Sequence, residues 1–319
     1  MDKYFISLVI PVYNEGKQIF ENIHTVHKIL NENSINHEFI LIDDGSRDIT
    51  WEELKRLSTS LPNINAIKLS RNFGKEAALC AGLEACKGDA CVVMDSDLQH
   101  PPELIPQMVK MWRDEGFDVI EGVKSSRGKE SLANKIGAVM FYDILKKLSG
   151  FDLNGASDFK LMDAKVIHAW SNMKERNTFF RAMSAWVGFK RTTISFEVAQ
   201  RKEGSSKWSI LRLFKLAITA ITSFSSLPLQ LVTLMGIIFL IGSFLLGIQT
   251  LYTYFSGDAV NGFTTVILLQ LIIGSTLMIS LGIIGTYIAK IFDEVKSRPR
   301  YVVSEKLESR DLTIQKLNF

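Results

Sequence analysis

The chain has 319 residues, 47% hydrophobic and 22% charged, a balance too apolar for an ordinary soluble enzyme and too charged for a protein lying mostly within a bilayer. Its net charge of +3 is too small to imply a nucleic-acid or other polyanionic partner. The hydrophobicity is uneven: residues 1–205 mix charged and apolar segments and suffice for one large core, whereas Leu227–Phe255 and Phe263–Ile288 carry almost no charge.

Met1–Ser7 includes Asp2 and Lys3 and runs straight into a short apolar stretch, so no secretory signal is expected and the first domain is expected to stay in the cytoplasm. Ile6–Pro11 and Phe39–Ile42 read as strands. Between them, Lys17–Glu32 carries Ile19, Ile23, Val26, Ile29 and Leu30 at helical spacing, which makes a βαβ start. A capping box, Thr50-x-x-Glu53, is expected to open the next helix. A strand follows near Ile64–Leu69, then a helix around Lys75–Ala85, then the strand Ala90–Met94. Pro101-Pro102 starts a helix to about Glu115, and Val119–Gly122 is a further strand. This alternation predicts an α/β fold with a mostly parallel sheet covered by helices on both faces.

Gly122–Ser131, with Lys124, Arg127, Lys129 and Glu130, is the best candidate for a mobile loop. Cys80, Cys86 and Cys91 form no C-x-x-C pair and read as buried thiols. His24 and His27 share a helical face without a nearby ligand trio and are expected to face solvent.

Beyond residue 205, the segment 206–226 contains an amphipathic stretch from Trp208, with Arg212 and Lys215 placed for lipid headgroups. Residues 227–290 are expected to form a hairpin of two transmembrane helices, and 291–319 a C-terminal tail. The connector Ser256–Gly262 has no Lys or Arg, while Arg212, Lys215, Lys290, Lys296, Arg298 and Arg300 flank the opposite side. The catalytic domain and both termini are therefore expected on the cytoplasmic face of a multi-pass protein of the cell membrane. Gln249 and Gln270 lie at comparable depth, which suggests a mutual hydrogen bond; the alternatives are the helix backbone or a neighbouring subunit.

Ligands of such sheets bind beyond the carboxyl ends of the strands, where three acidic clusters fall: Glu15, Asp43-Asp44 and Asp95/Asp97. A bare D-x-D occurs in many solvated loops, but here it closes the apolar run Cys91–Met94. Because alternate residues of an extended chain face the same way, the intervening Ser96 leaves Asp95 and Asp97 pointing at one site. Two carboxylates so placed can hold Mg²⁺ or Mn²⁺ on a diphosphate leaving group, chemistry that suits a sugar transferase working at the bilayer surface. Asp44, exposed by the Gly45-Ser46 turn, can accept hydrogen bonds from a base or from ribose hydroxyls.

Val9-Ile-Pro-Val-Tyr-Asn-Glu15, Asp43-Asp-Gly-Ser46, Arg71-Asn-Phe-Gly-Lys75, Asp95-Ser-Asp-Leu-Gln99 with Pro101-Pro102, and Arg201-x-x-Gly204-x-Ser206-Lys207 occur in an order that resembles glycosyltransferase family 2. More narrowly, nearly the whole chain resembles the polyprenyl-phosphate glycosyltransferases, which include dolichol-phosphate mannose synthases and bactoprenol glucosyltransferases.

The resemblance implies a GT-A fold and an inverting transfer from a nucleotide sugar to polyprenyl phosphate. Pro11, Tyr13, Glu15, Asp44 and Asp95 would bind the nucleotide sugar. Asp95, Asp97 and Gln99 would surround the metal, with Asp97 counted among the catalytic residues. Asp158 aligns with the acidic residue usually called the catalytic base. A phosphate monoester acceptor, whose second pKa is about 6, needs little help from a base, so Asp158 is equally a candidate for orienting sugar or acceptor. His100 stands where many relatives have Asp and is given no metal role. Arg201 and Lys207 are the expected ligands of the acceptor phosphate, with Arg127 able to close over a phosphate.

The donor expected is UDP-glucose, with GDP-mannose or a UDP-amino sugar as alternatives; the expected acceptor is undecaprenyl (bactoprenol) phosphate, and the expected assembly a homo-oligomer. A processive polysaccharide synthase would need a channel and a Q-x-x-R-W motif, which the sequence lacks. A catalytically silent membrane scaffold would not need intact Asp95, Asp97 and Asp158. No G-x-G-x-x-G follows the first strand, which argues against dinucleotide-dependent redox chemistry, and no P-loop motif occurs.

Overall fold

The computed structural model describes residues 4–124, 157–173, 175, 180–181, 186–196, 227–256, 262–308 and 311–316. The chain divides into two compact units, Met1–Lys207 together with Pro299–Phe319, and Trp208–Arg298.

The first unit starts with β1 (Phe5–Val12), α1 (Ile19–Glu32), β2 (Asn36–Asp43), α2 (Thr50–Ser60), β3 (Ile64–Leu69), α3 (Lys75–Glu84) and β4 (Ala90–Val93). After a 3₁₀ turn at Pro102–Leu104 come α4 (Ile105–Glu115), β5 (Val119–Lys124), β6 (Lys160–Asp163), α5 (Ala164–Ser171) and β7 (Arg191–Phe196). β8 (Val303–Glu308) and β9 (Asp311–Lys316) complete it.

The nine described strands form one sheet in the order β7-β5-β6-β4-β1-β2-β3-β8-β9. β3, β2, β1 and β4 run parallel, as expected from their βα alternation. The sheet as a whole is mixed, because β6 joins antiparallel to β4 and β5, and β8 antiparallel to β3 and β9. The expected tail at 291–319 thus contains two strands that extend the sheet along β3.

Period-two alternation divides the core between the two faces of the sheet. Leu8, Ile10, Phe39 and Leu41 pack with α1, α2 and α4 through Ile23, Leu54 and Met108. Val9, Ile40 and Ile42 face α3 and α5 through Leu79, Leu83 and Trp170. Gly82 lets α3 approach that closely: a Cβ there would lie 2.4 Å from the Val9 side chain.

The expected capping box does not form. Asp48 accepts from the Thr50 backbone N–H, and the Thr50 hydroxyl donates to Asp48 while accepting from the Glu15 N–H, so this helix start is tied to the β1 exit loop instead. Gly122 belongs to β5, which runs on to Lys124, and residues 125–131 of the expected loop lie outside the described residues. His27 and His37 are hydrogen-bonded to each other at 2.9 Å, so His27 is not simply a solvent-facing residue. None of the three cysteines is in a disulfide; Cys80 and Cys91 are buried as expected, while Cys86 is half-buried, its sulfur 3.3 Å from that of Cys91.

The second unit contains α6 (Leu227–Phe255) and α7 (Phe263–Val295). Within them Pro228–Thr253 (26 residues) and Leu269–Val295 (27 residues) are long and apolar enough to cross a membrane. α7 runs past the expected end at Ile288. Gln249 and Gln270 are both exposed and no hydrogen bond joins them. The amphipathic stretch expected after Trp208 lies outside the described residues.

Candidate active site

β1 pairs with β2 on one side and β4 on the other: the chain winds outward from β1 through β2 and β3 and then crosses back to β4, so a crevice opens at the carboxyl ends of β1 and β4. A cleft of about 330 Å³ lies there, and its walls include Pro11, Tyr13, Glu15, Asp44, Asp95 and Asp97. All five residues expected to bind the nucleotide sugar, and the second carboxylate of the D-x-D, thus converge.

The loops that carry them are tightly interlaced. Asn14, in the left-handed region at φ 54°, accepts from the Arg47 N–H through its side chain and donates its own N–H to Ser46 Oγ. Gly45 turns the β2 exit at φ 68°, and a Cβ there would lie 2.4 Å from the Arg71 backbone, so no other residue fits. Asp44 is 3% exposed and accepts the Phe73 and Gly74 N–H groups at 2.7 and 2.9 Å. It therefore fixes the turn that launches α3 as well as lining the cleft. Burial raises its pKa, opposed by those two N–H donors.

β4 ends at Val93, so Asp95-Ser96-Asp97 lies in a turn and Ser96 lines the cleft too; strand alternation is not what brings the two carboxylates together. The turn is held from several sides. Asn22 of α1 donates to the Ser96 carbonyl, Asp97 Oδ1 accepts the Gln99 N–H, and Leu98 takes a left-handed φ of 54°. His100 Nδ1 accepts the Asp95 N–H at 3.2 Å, and its buried ring stacks on Phe159, 5.1 Å between centroids. It is a scaffold for Asp95, a role its sequence position beside Pro101 did not reveal. Burial, then the nearby Asp97 and Asp48, raise the pKa of Glu15.

Asp158, which precedes β6, is 7% exposed. Arg181 Nε and Nη2 donate to its two oxygens at 2.7 and 2.9 Å, and Lys75 Nζ donates at 2.7 Å. Burial alone would raise its pKa, but these two cations outweigh it and hold the carboxyl well below the usual carboxylate range. Lys75 also donates to Asp95 Oδ1 at 2.5 Å. For Lys75, burial disfavours charge, but Asp95 and Asp158 raise its pKa on balance. A run of alternating charges, Asp95–Lys75–Asp158–Arg181, therefore leads out of the cleft.

Beside it the half-buried Glu76 accepts the Phe180 N–H at 2.8 Å, and desolvation pushes its pKa up to about 7. Lys75, Glu76 and Arg181 were not singled out from sequence. Lys75 closes the Arg71–Lys75 motif and so carried a signal; Arg181 carried none.

Gln99 contributes its backbone N–H to Asp97 but is not part of the cleft wall. Among the described residues no three His, Cys, Asp or Glu side chains gather as a metal cage. Asp95 and Asp97 nevertheless fit a hard divalent cation of the kind bound by one or two carboxylates and completed by substrate phosphates. Arg127, Arg201 and Lys207 lie outside the described residues.

The Glycosyl transferase family 2 model matches residues 7–166. An uncharacterized glycosyltransferase of Synechocystis sp. is 37% identical over 315 residues, 98% of this chain and 99% of that one. A prophage bactoprenol glucosyl transferase homolog of Escherichia coli is 35% identical, covering 93% of this chain and 98% of its own. The bactoprenol glucosyl transferase of Shigella phage SfX is 34% identical, covering 94% and 99%. Among solved structures, Staphylococcus aureus TarS 1-349 with UDP-GlcNAc aligns at a TM-score of 0.48 and 17% identity, over 69% of this chain and 66% of that one. With the family match spanning β1 to α5 and full-length relatives on either side of it, the chain belongs to glycosyl transferase family 2, and it is a glycosyltransferase with a GT-A-like mixed sheet.

Proposed function

We propose that the protein transfers glucose, with inversion, from UDP-glucose to undecaprenyl phosphate at the cytoplasmic face of the cell membrane, with Mg²⁺ or Mn²⁺ as cofactor. The observation that carries this reading is the cleft at the β1/β4 crevice, where Tyr13, Glu15, Asp44, Asp95 and Asp97 meet. Support for glucose and for the lipid acceptor comes from the relatives named bactoprenol glucosyl transferase, which match over nearly their whole length.

Pro11 and Tyr13 offer an apolar and aromatic wall for the base, and Glu15 and Asp44 offer acceptors to ribose and base donors. A divalent cation bound by Asp95 and Asp97 would neutralise the negative charge that gathers on the departing diphosphate. The attacking oxygen belongs to a phosphate whose second pKa is about 6, so it is largely ionised at neutral pH without a protein base. Asp158, ion-paired at both oxygens, is poorly suited to take a proton and well suited to hold Lys75 and Arg181 in place. Arg201 and Lys207, with Arg127, are the cations proposed for the acceptor phosphate, next to the amphipathic segment at 206–226.

Two helices long enough to span a bilayer would keep the domain beside its lipid acceptor, with both termini cytoplasmic and the hairpin available for assembly into a homo-oligomer. The test is incubation of the purified full-length protein with undecaprenyl phosphate and Mg²⁺ or Mn²⁺ against a panel of UDP- and GDP-sugars. Preferred labelling of the lipid by UDP-glucose is expected. Labelling by GDP-mannose or a UDP-amino sugar instead would replace the donor, and no lipid product from any donor would overturn the reading.

A further inference from the structure

Lys75 opens α3 at the edge of the cleft, with Nζ 2.5 Å from Asp95 Oδ1 and 2.7 Å from Asp158 Oδ2. An ammonium group at bonding distance from a carboxylate oxygen and a divalent cation on that same oxygen exclude each other, by space and by charge. The two partners of Lys75 are unequal. Asp158 is 9% exposed in its side chain and clamped by Arg181, whereas Asp95 is 34% exposed and Lys75 itself 37%. The Asp95 contact is thus the solvated and cheaply broken one, and the long, flexible lysine stem lets Nζ leave it while keeping Asp158.

We propose that Lys75 is an exchangeable counter-ion, which competes with the divalent cation for Asp95 and, when displaced, stays on Asp158 with its ammonium beside the diphosphate. This rests on the metal-dependent transfer reading above. Its consequence is a built-in order: the cation binds weakly by itself and tightly together with a diphosphate, whose oxygens supply ligands that Lys75 cannot block. Asp158 and Arg181 are then positioning residues acting through Lys75.

The test is the Kd for Mn²⁺ of the full-length protein, read from the electron paramagnetic resonance signal of free Mn²⁺, with and without UDP. Without UDP, Lys75→Met is expected to bind Mn²⁺ about fivefold more tightly than the unchanged protein, the scale of one partly exposed ion pair. Lys75→Arg, which keeps the charge, is expected to show no gain. Arg71→Met removes a charge from the same motif, where the exposed guanidinium stacks 4.6 Å from the Phe73 ring, and is expected to change Kd by less than about twofold.

Unchanged or weaker binding by Lys75→Met, or an equal gain from Arg71→Met, would overturn the exchange. If Lys75→Met does not fold, a gain in Mn²⁺ affinity by Lys75→Arg overturns it instead. The two readings fail separately: lipid glucosylation with no Lys75→Met effect removes only the exchange, whereas the Lys75→Met gain without transfer to lipid removes only the acceptor reading. Absence of Mn²⁺ binding even with UDP removes both.

Discussion

Asp158 and Glu76 show how a few neighbours decide what a carboxyl can do. Asp158 is buried, yet Arg181 and Lys75 keep it ionised; Glu76 is half-buried with a single backbone donor, and desolvation raises its pKa to about 7. Asp158→Asn is expected to lower kcat about tenfold or more by releasing Lys75 and Arg181, without moving the acid limb of the pH–rate profile. Loss of that limb would instead make Asp158 the base.

For Glu76 the sign follows from linkage. Its folded pKa lies above the ordinary 4.5, so the folded state binds more protons between those values and stability falls as pH rises toward 7. Glu76→Gln keeps an acceptor for the Phe180 N–H and removes the ionisation. It is expected to gain roughly 1–3 kcal/mol at pH 8 and almost nothing near pH 4.5, measured by thermal melts. An equal gain at both pH values would contradict the assignment.

Three strands on one side of the sheet are tied by a buried ion cluster. Lys160 of β6 is fully buried and donates to Glu121 of β5 at 2.8 Å, and Arg191 of β7 donates to the other Glu121 oxygen at 2.9 Å. Burial opposes the Glu121 charge, but Lys160 and Arg191 outweigh it and hold the carboxyl ionised. Lys160→Met is expected to cost about 3–5 kcal/mol, and adding Glu121→Leu to recover much of it, because the buried Glu121 charge would otherwise keep only the partly exposed Arg191 and lose the partner of its other oxygen. A double variant no better than the single would show the cluster to be replaceable only as an ion network.

This cluster also bears on why β6 and β7 escaped sequence reading. A four-residue strand that opens on a buried Lys shows no apolar alternation, and β7 alternates only over Ile194 and Phe196, too short a stretch to read as a strand; opposite charges from neighbouring strands make the buried Lys possible. By contrast β1 to β4 were legible because their runs are apolar on both faces, the pattern of strands covered by helices.

At the scale of the molecule, both ends of the chain share one sheet. β8 pairs with β3, Trp51 Nε1 donates to Glu305 at 3.1 Å, and Ser304 donates to the Lys68 carbonyl. Truncation after residue 302 would therefore bare the β3 edge. It is expected to lower the melting temperature and promote aggregation, where a dispensable tail would change neither.

The tail was unreadable as strand because Val303–Glu308 is short and charged, and its pairing with β3 is a contact between distant parts of the chain. The cleft was far more legible. Loops after parallel strands gather at one end of the sheet, so Glu15, Asp44, Asp95 and Asp97 could be placed together from their positions alone. Arg181 could not, and the motif that ends at Lys75 marks the lysine without showing its role, which is visible only with Asp95 and Asp158 around it.

The most direct measurement is transfer of radiolabelled glucose from UDP-glucose to undecaprenyl phosphate by full-length protein reconstituted in lipid, comparing the unchanged chain with Asp95→Asn/Asp97→Asn, each with Mn²⁺ and with excess chelator. Transfer is expected to fall at least about 100-fold in the double variant and on chelation. Undiminished lipid labelling in either arm would contradict the claim that these two carboxylates hold a cation on the leaving diphosphate.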